Sequence, residues 1–217
     1  MERKINISIY ITAFIIASIL FLLGIFIGWQ IAFSAISQIK DEYEKLRVSD
    51  YALEVMFLMN YSDEFVCELY KEQLNKFGEE AIEFGKKIDF MENQKGKMDS
   101  EVMRFKASYN LLQLRNYLLL EKTQKKCNAT HTILLYFYSN ENYDARVDQG
   151  IIIDQIRSKI NITVYAFDIH VDSPPVKMFI RMQNVTRVPA IIVNNKKYEG
   201  YMDREKLLNI LHTSAKE

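Results

Sequence analysis

The chain has 217 residues, 28 Lys and Arg against 28 Asp and Glu, and a net charge of zero. Without a basic excess it lacks the electrostatic footprint of a nucleic-acid-binding protein, so no nucleic-acid partner is expected. Only 7 Gly and 3 Pro argue against long disordered linkers, and the length accommodates one or two small domains beside any membrane segment.

No charged residue interrupts Ile5–Ile39, and the centre of that stretch, 9–33, is predominantly apolar. About 20 such residues cross a bilayer, whereas the apolar region of a cleaved signal peptide runs to about 7–15. The expectation is an uncleaved transmembrane anchor at 9–33 behind a short tail at 1–8, with the lipid bilayer as its partner. Trp29 suits an interfacial aromatic anchor. Gly24 and Gly28 form a Gly-x-x-x-Gly that permits close helix approach, although two small residues in lipid require no partner. Flanking charges do not orient the span. Arg3 and Lys4 precede it with Glu2, and Lys40, Lys45 and Arg47 follow it among Asp41, Glu42 and Glu44. Two features favour a cytoplasmic N-terminus and an extracytoplasmic C-terminal part. They are the Asn-x-Ser/Thr triplets at Asn6, Asn60, Asn128, Asn161 and Asn184, and an even cysteine count.

Residues 34–127 read as a helical stalk or hairpin domain. A helix continues from Ala35 to about Met59, with Ile36, Ile39, Tyr43, Leu46, Leu53 and Phe57 on one face and Asp50 as its one polar member. Asn60–Asp63 breaks it, and Ser62 can cap the next helix. That helix carries Tyr70, Leu74, Phe77, Ala81, Phe84, Ile88 and Met91 in alternating steps of four and three, a coiled-coil-like seam. Asn93–Lys97 is a turn. Asp99 or Ser100 caps a third helix with Val102, Phe105, Tyr109, Leu112 and Leu119 on one face, widened by Leu111, Leu114 and Leu118. Short connections favour an antiparallel hairpin packed within the chain. A homodimer through the stalk is the alternative.

Past Lys126 the pattern turns to α/β. Thr132–Ser139 reads as a strand, and a helix from about Asp144 to Lys159 presents Val147, Ile151, Ile152 and Ile156. Ile162–Ile169 is a nearly continuous apolar run, as in a buried parallel strand. Pro174 and Pro175 suit the first turn of a helix that carries Met178, Phe179 and Met182. Val188–Val193 and Lys197–Tyr201 form a hairpin across Asn194-Asn195, residues that tolerate the positive φ of a two-residue turn. Asp203 caps a last helix with Leu207, Leu208 and Leu211.

This order of strand, loop, helix, strand, helix, proline-led strand, hairpin and helix resembles the thioredoxin superfamily over residues from about 130 to 214, which implies a thioredoxin-like domain at 128–217. So do Phe167-Asp168 at the end of the second strand, the stretch Asn184-Val185-Thr186-Arg187-Val188-Pro189-Ala190, and Gly200 before the final helix. The layout as a whole is similar to membrane-anchored archaeal proteins with a helical segment before a thioredoxin-like domain. The fold this implies is α/β, a central mixed sheet flanked by helices, preceded by the anchor and the stalk. The resemblance also implies a cis peptide bond at Val188–Pro189, beside the family's active-site loop. That loop carries Cys-x-x-Cys in the family. Aligned through Gln149-Gly150, the two positions here are Tyr143 and Arg146. Thiol–disulfide exchange needs an attacking thiolate and a resolving thiol, and neither residue supplies one.

Two cysteines remain, Cys67 and Cys127. They could form a structural disulfide, remain free and buried, or leave Cys127 reactive beside Lys125 and Lys126. No spacing of His131, His170, His212 or the acidic residues resembles a metal site, and no Gly-rich phosphate loop is present. No cofactor is expected. The sequence therefore points to a membrane-anchored, extracytoplasmic, redox-inactive binding, structural or chaperone-like module. Its groove near Val188 and Pro189 is the candidate site for a polypeptide. The alternative is an oxidoreductase that uses Cys67 and Cys127 as a spatial pair.

Overall fold

A computed structural model describes residues 7–59, 63–127, 131–139 and 149–214. The chain divides into two compact units, Met1–Glu44 and Lys45–Glu217. Helix α1 (Ile7–Leu58) runs through the boundary between them. Its Ser8–Gln30 stretch, with mean hydropathy 2.7, is long and apolar enough to span a membrane, and none of it is buried. A side chain at either Gly24 or Gly28 would meet nothing within 4 Å.

The second unit holds the end of α1, a helical hairpin and a sheet. The hairpin is α2 (Asp63–Lys95) and α3 (Ser100–Cys127). The heptad seam of α2 is buried at Tyr70, Phe77, Ala81, Phe84, Ile88 and Met91, and Phe84 meets Phe105 and Tyr109 of α3 edge to face. The seam thus packs within the chain. Gly96 turns the chain with φ +96°, and Asp99 caps α3, its Oδ1 accepting from the N–H groups of Glu101 and Val102 at 2.9 and 3.2 Å. A disulfide joins Cys67 and Cys127 across the open end of the hairpin, with Cα atoms 5.8 Å apart. Ser62 lies outside the described residues.

The widened leucine face expected on α3 is wrong in part. Leu114 is buried, but Leu111 and Leu118 are each 43% exposed. In their place Lys106, Asn110, Gln113, Asn116 and Thr123 are buried, because α3 lies against the edge of the sheet, where Gln113 and Asn110 bond to its backbone and Lys106 and Asn116 to the side chains of Asp168 and Tyr165.

That sheet contains β1 (Thr132–Tyr138), β2 (Ile162–Asp168), β3 (Ala190–Val193) and β4 (Lys196–Glu199), in the order β2-β1-β3-β4. β1 and β2 are parallel, whereas β3 is antiparallel to both β1 and β4. Asn194 and Asn195 take φ of 47° and 61° in the β3–β4 turn, which suits the twist of a two-residue hairpin. Three helices complete the unit: α4 (Gln149–Arg157), α5 (Pro174–Met182) and α6 (Arg204–Ser214). One face of the sheet packs Leu134, Ile191 and Val193 with Ile153 and Ile156 of α4 and Leu207 and Leu211 of α6. On the other, Phe137 and Phe167 stack and meet Phe179 of α5. Asp203 caps α6 through Lys206 N–H at 2.8 Å.

Several expected apolar positions face outward. Ile151, Met178 and Met182 are 54%, 64% and 70% exposed. Ile153 and Val176 occupy the inward positions instead. Each of these short helices has only one buried face, so an apolar residue off that face remains wet. β2 is an edge strand rather than an interior one. Its apolar character reflects cover from α3.

Candidate functional site: a cleft beside Pro189

Pro189 precedes β3, where its missing N–H costs the ladder nothing. The Val188–Pro189 peptide bond is cis. Its surroundings are held from β4. Gly200 N–H donates to Pro189 O at 2.7 Å, and the Glu199 carboxylate accepts from Thr186 N–H at 2.8 Å and from its hydroxyl at 3.0 Å. The Thr186 N–H foremost, with Lys197, holds the Glu199 carboxyl down to about 2. Gly200 has φ +92°, and a Cβ there would stand 3.3 Å from the Arg187 guanidinium, so the position demands glycine.

A cleft of about 750 Å³ opens beside this loop. The turns of α2 around Ile82–Asn93 and of α3 around Lys106–Gln113 form one wall. The ends of β1 and β2, the start of α4, and Val188 with Pro189 form the other. Tyr109, Tyr136 and Tyr138 supply its aromatic surface. The Tyr109 hydroxyl donates to Ala81 O at 2.8 Å, and burial raises its pKa. Among the described residues no group takes the backbone N–H or C=O of Val188. A half-buried residue at a strand start with open backbone groups can pair with an extended segment.

The cleft wall includes a buried ion cluster. Lys106, 1% exposed, pairs with Asp168 and, at 2.8 Å, with Glu92. Its ammonium also lies 5.5 Å from the centre of the Tyr138 ring, within cation–π range. Burial foremost, then the charges of Asp168 and Glu92, raise the Tyr138 phenol well above its usual value. Asp168 also accepts the His170 N–H at 2.9 Å. His170 Nε2 in turn lies 2.7 Å from the Ser139 hydroxyl. His170 is therefore part of a bonded corner at the ends of β1 and β2.

Two glutamines fix the frame. The Gln113 amide donates to Ala166 O at 3.0 Å and accepts Ala166 N–H at 2.8 Å, acting as one rung of an added strand on the outer edge of β2. Gln149 does the same for Met202, at 3.1 and 2.8 Å, and so ties the start of α4 to the segment before α6. Neither role is visible from hydrophobic periodicity. The one available signal is that Lys106, Asn110, Gln113, Asn116 and Thr123 recur at helical spacing along α3, as a second stripe.

Of the expected site residues, Val188 and Pro189 line the cleft. Tyr143 and Arg146 lie outside the described residues. Cys67 and Cys127 are bonded to each other and line no part of the cleft. Among the described residues no group of three or more His, Cys, Asp or Glu side chains could hold a metal ion. Comparison with protein-family models, curated proteins and solved structures finds no match to this chain.

Proposed function

We propose that this is a membrane-anchored module whose extracytoplasmic, thioredoxin-like part binds an extended polypeptide segment in the cleft beside Pro189, without thiol–disulfide chemistry. The observation that carries the reading is the open backbone of Val188 at the rim of an aromatic-lined cleft. Backbone pairing gives affinity to any extended chain, and the three tyrosines favour apolar or aromatic side chains. The thioredoxin-like assignment is supported by the sheet order β2-β1-β3-β4, with a parallel first pair and an antiparallel second, and by a proline leading β3. The anchor is supported by Ser8–Gln30. Exposed Asn161 and Asn184 leave two of the Asn-x-Ser/Thr triplets accessible to an extracytoplasmic transferase.

Disulfide exchange through Cys67 and Cys127 finds no geometric support. Cys127 ends α3, 14 residues beyond Gln113, the last α3 residue lining the cleft, and a helix rises about 1.5 Å per residue. The pair therefore stands roughly 20 Å along α3 from the cleft.

The test is site-specific photocrosslinking in native membranes, with a photoreactive residue at Val188 and, for comparison, at exposed Lys71 on α2. Polypeptides captured from Val188 but not from Lys71, and competed by an added extended apolar peptide, are the expected result. Equal capture at both positions refutes peptide binding in the cleft.

A further inference from the structure

The last turns of α1 carry an apolar face that the described chain leaves open. Val48, Tyr51, Val55 and Leu58 are 65%, 48%, 51% and 72% exposed. They follow one another in steps of three, four and three, the spacing of a coiled-coil seam. The opposite side of the same stretch is the buried one, where Leu46, Asp50 and Leu53 are each 0% exposed. Singly exposed apolar residues are ordinary, but four at strict heptad spacing make a continuous stripe.

We propose that this stripe pairs with the same stripe of a second copy of the chain, giving a parallel homodimer through residues 48–58. The inference rests on the membrane-anchored reading above. Two copies inserted through Ser8–Gln30 in one bilayer with one orientation carry the stripe on the same side of the membrane and the same number of residues beyond the span. A two-fold axis between them brings equivalent residues of the stripe together in register. The residue types suit that arrangement. With Val48 and Val55 at the a positions, and Tyr51 and Leu58 at d, the stripe has the β-branched a residues that favour two parallel strands.

The neighbouring charges do not oppose the pairing. Arg115 takes Glu54 at 2.5 Å, and the guanidinium groups of Arg115 and Arg47 lie 4.8 and 5.9 Å from the centre of the Tyr51 ring, so Glu54 is paired within each copy and Tyr51 is held by its own chain. The four side chains offer an interface on the order of 1,000 Å² over both copies, the lower limit for a specific contact. Such an area is marginal for free chains. It becomes sufficient when a shared membrane raises the effective concentration.

The test uses the full chain in membranes, with Val55→Cys on the stripe and Glu72→Cys on the exposed side of α2 as the collisional control. A short bis-maleimide reagent leaves the native disulfide untouched. The expected result is at least tenfold more covalent dimer from Val55→Cys than from Glu72→Cys, falling to the control level when Leu58→Glu is added. An unchanged melting temperature of the Leu58→Glu variant separates lost pairing from lost folding. Equal crosslinking of both cysteine variants in alkali-washed membranes that still retain the chain overturns the dimer and leaves the anchor standing. Release of the chain by the wash overturns the anchor, and with it the parallel geometry.

Discussion

Asp50 should make this protein less stable as the pH rises from about 4 to 6. Its carboxyl is 0% exposed on the inner face of α1. Arg115 Nε stands 3.2 Å away, yet neither carboxylate oxygen accepts a hydrogen bond from the described residues. Burial dominates, Arg115 only partly offsets it, and Glu54 adds to it, so the Asp50 pKa rises from 3.8 to about 6. Tyr70 of α2 and Tyr165 of β2 face the same group, and its charge helps raise both phenols.

The sign follows from proton binding. Between about 4 and 6 the folded chain holds a proton on Asp50 that the unfolded chain has lost, so stability falls with rising pH across that window and is flat on either side. The gap between the two pKa values corresponds to at most about 3 kcal/mol. Asp50→Asn imitates the permanently protonated acid, and Arg115 keeps Glu54 as its partner at 2.5 Å. The variant should therefore be more stable than the parent by up to about 3 kcal/mol at pH 8, or roughly 6–12 °C in melting temperature for a chain of this size. The difference should vanish near pH 4. Thermal unfolding of both proteins in detergent, followed by circular dichroism from pH 4 to pH 8, measures it. An Asp50→Asn protein that melts below the parent at pH 8 would refute the reasoning, because the ion pair with Arg115 would then outweigh the cost of burial.

Removing the disulfide with Cys67→Ser and Cys127→Ser frees a 60-residue separation and should cost about 4 kcal/mol on the chain-entropy estimate; chemical denaturation with and without reductant checks it. Gln113→Leu strips both partners from Ala166 at the β2 edge and should cost about 2–4 kcal/mol. In hydrogen exchange the Ala166 amide should lose protection first. Lys106→Met removes the ammonium that Asp168 and Glu92 share, at a cost of about 3–5 kcal/mol near neutral pH. That cost should shrink in acid as the carboxylates protonate, whereas a loss independent of pH would mean that packing, not charge, holds Lys106 in place.

The apolar seam of α2 was legible because its periodicity and its burial have one cause. Phe77, Phe84, Ile88 and Met91 face a partner helix at every turn. The Asn194-Asn195 turn and the caps at Asp99 and Asp203 were legible for a local reason, since each is set within a few residues. The second face of α3 was not. Lys106, Asn110, Gln113 and Asn116 are the residue types of a wet surface, and their burial depends on a strand edge 49 to 62 residues away in sequence. For the same reason periodicity alone places Leu111 and Leu118 in the core, since nothing local shows that amides take that face. Of the candidate site, the loop at Val188 and Pro189 could be read from the chain. The α2–α3 wall that makes it a cleft could not, because the polar stripe of α3 reads like the wet face of any helix until the sheet it faces is known.

The buried amides also bear on where a peptide strand can be added. In a parallel pair, the N–H and C=O of alternate residues point away from the partner. On β2 the outward residues include Ala166 and Asp168. Gln113 takes both groups of the first, and Asn110 donates to the carbonyl of the second at 3.4 Å. An exposed edge strand is a template for unwanted pairing, and here that template is occupied by side chains of the same chain. The other edge, β4, is short and begins with Lys196 and Lys197, residues that discourage strand addition. With the β2 edge taken up at Ala166 and Asp168 and the β4 edge charged, the open backbone at Val188 is, among the described residues, a position beside the sheet at which an extended segment can pair, and it lines the same cleft as the three tyrosines.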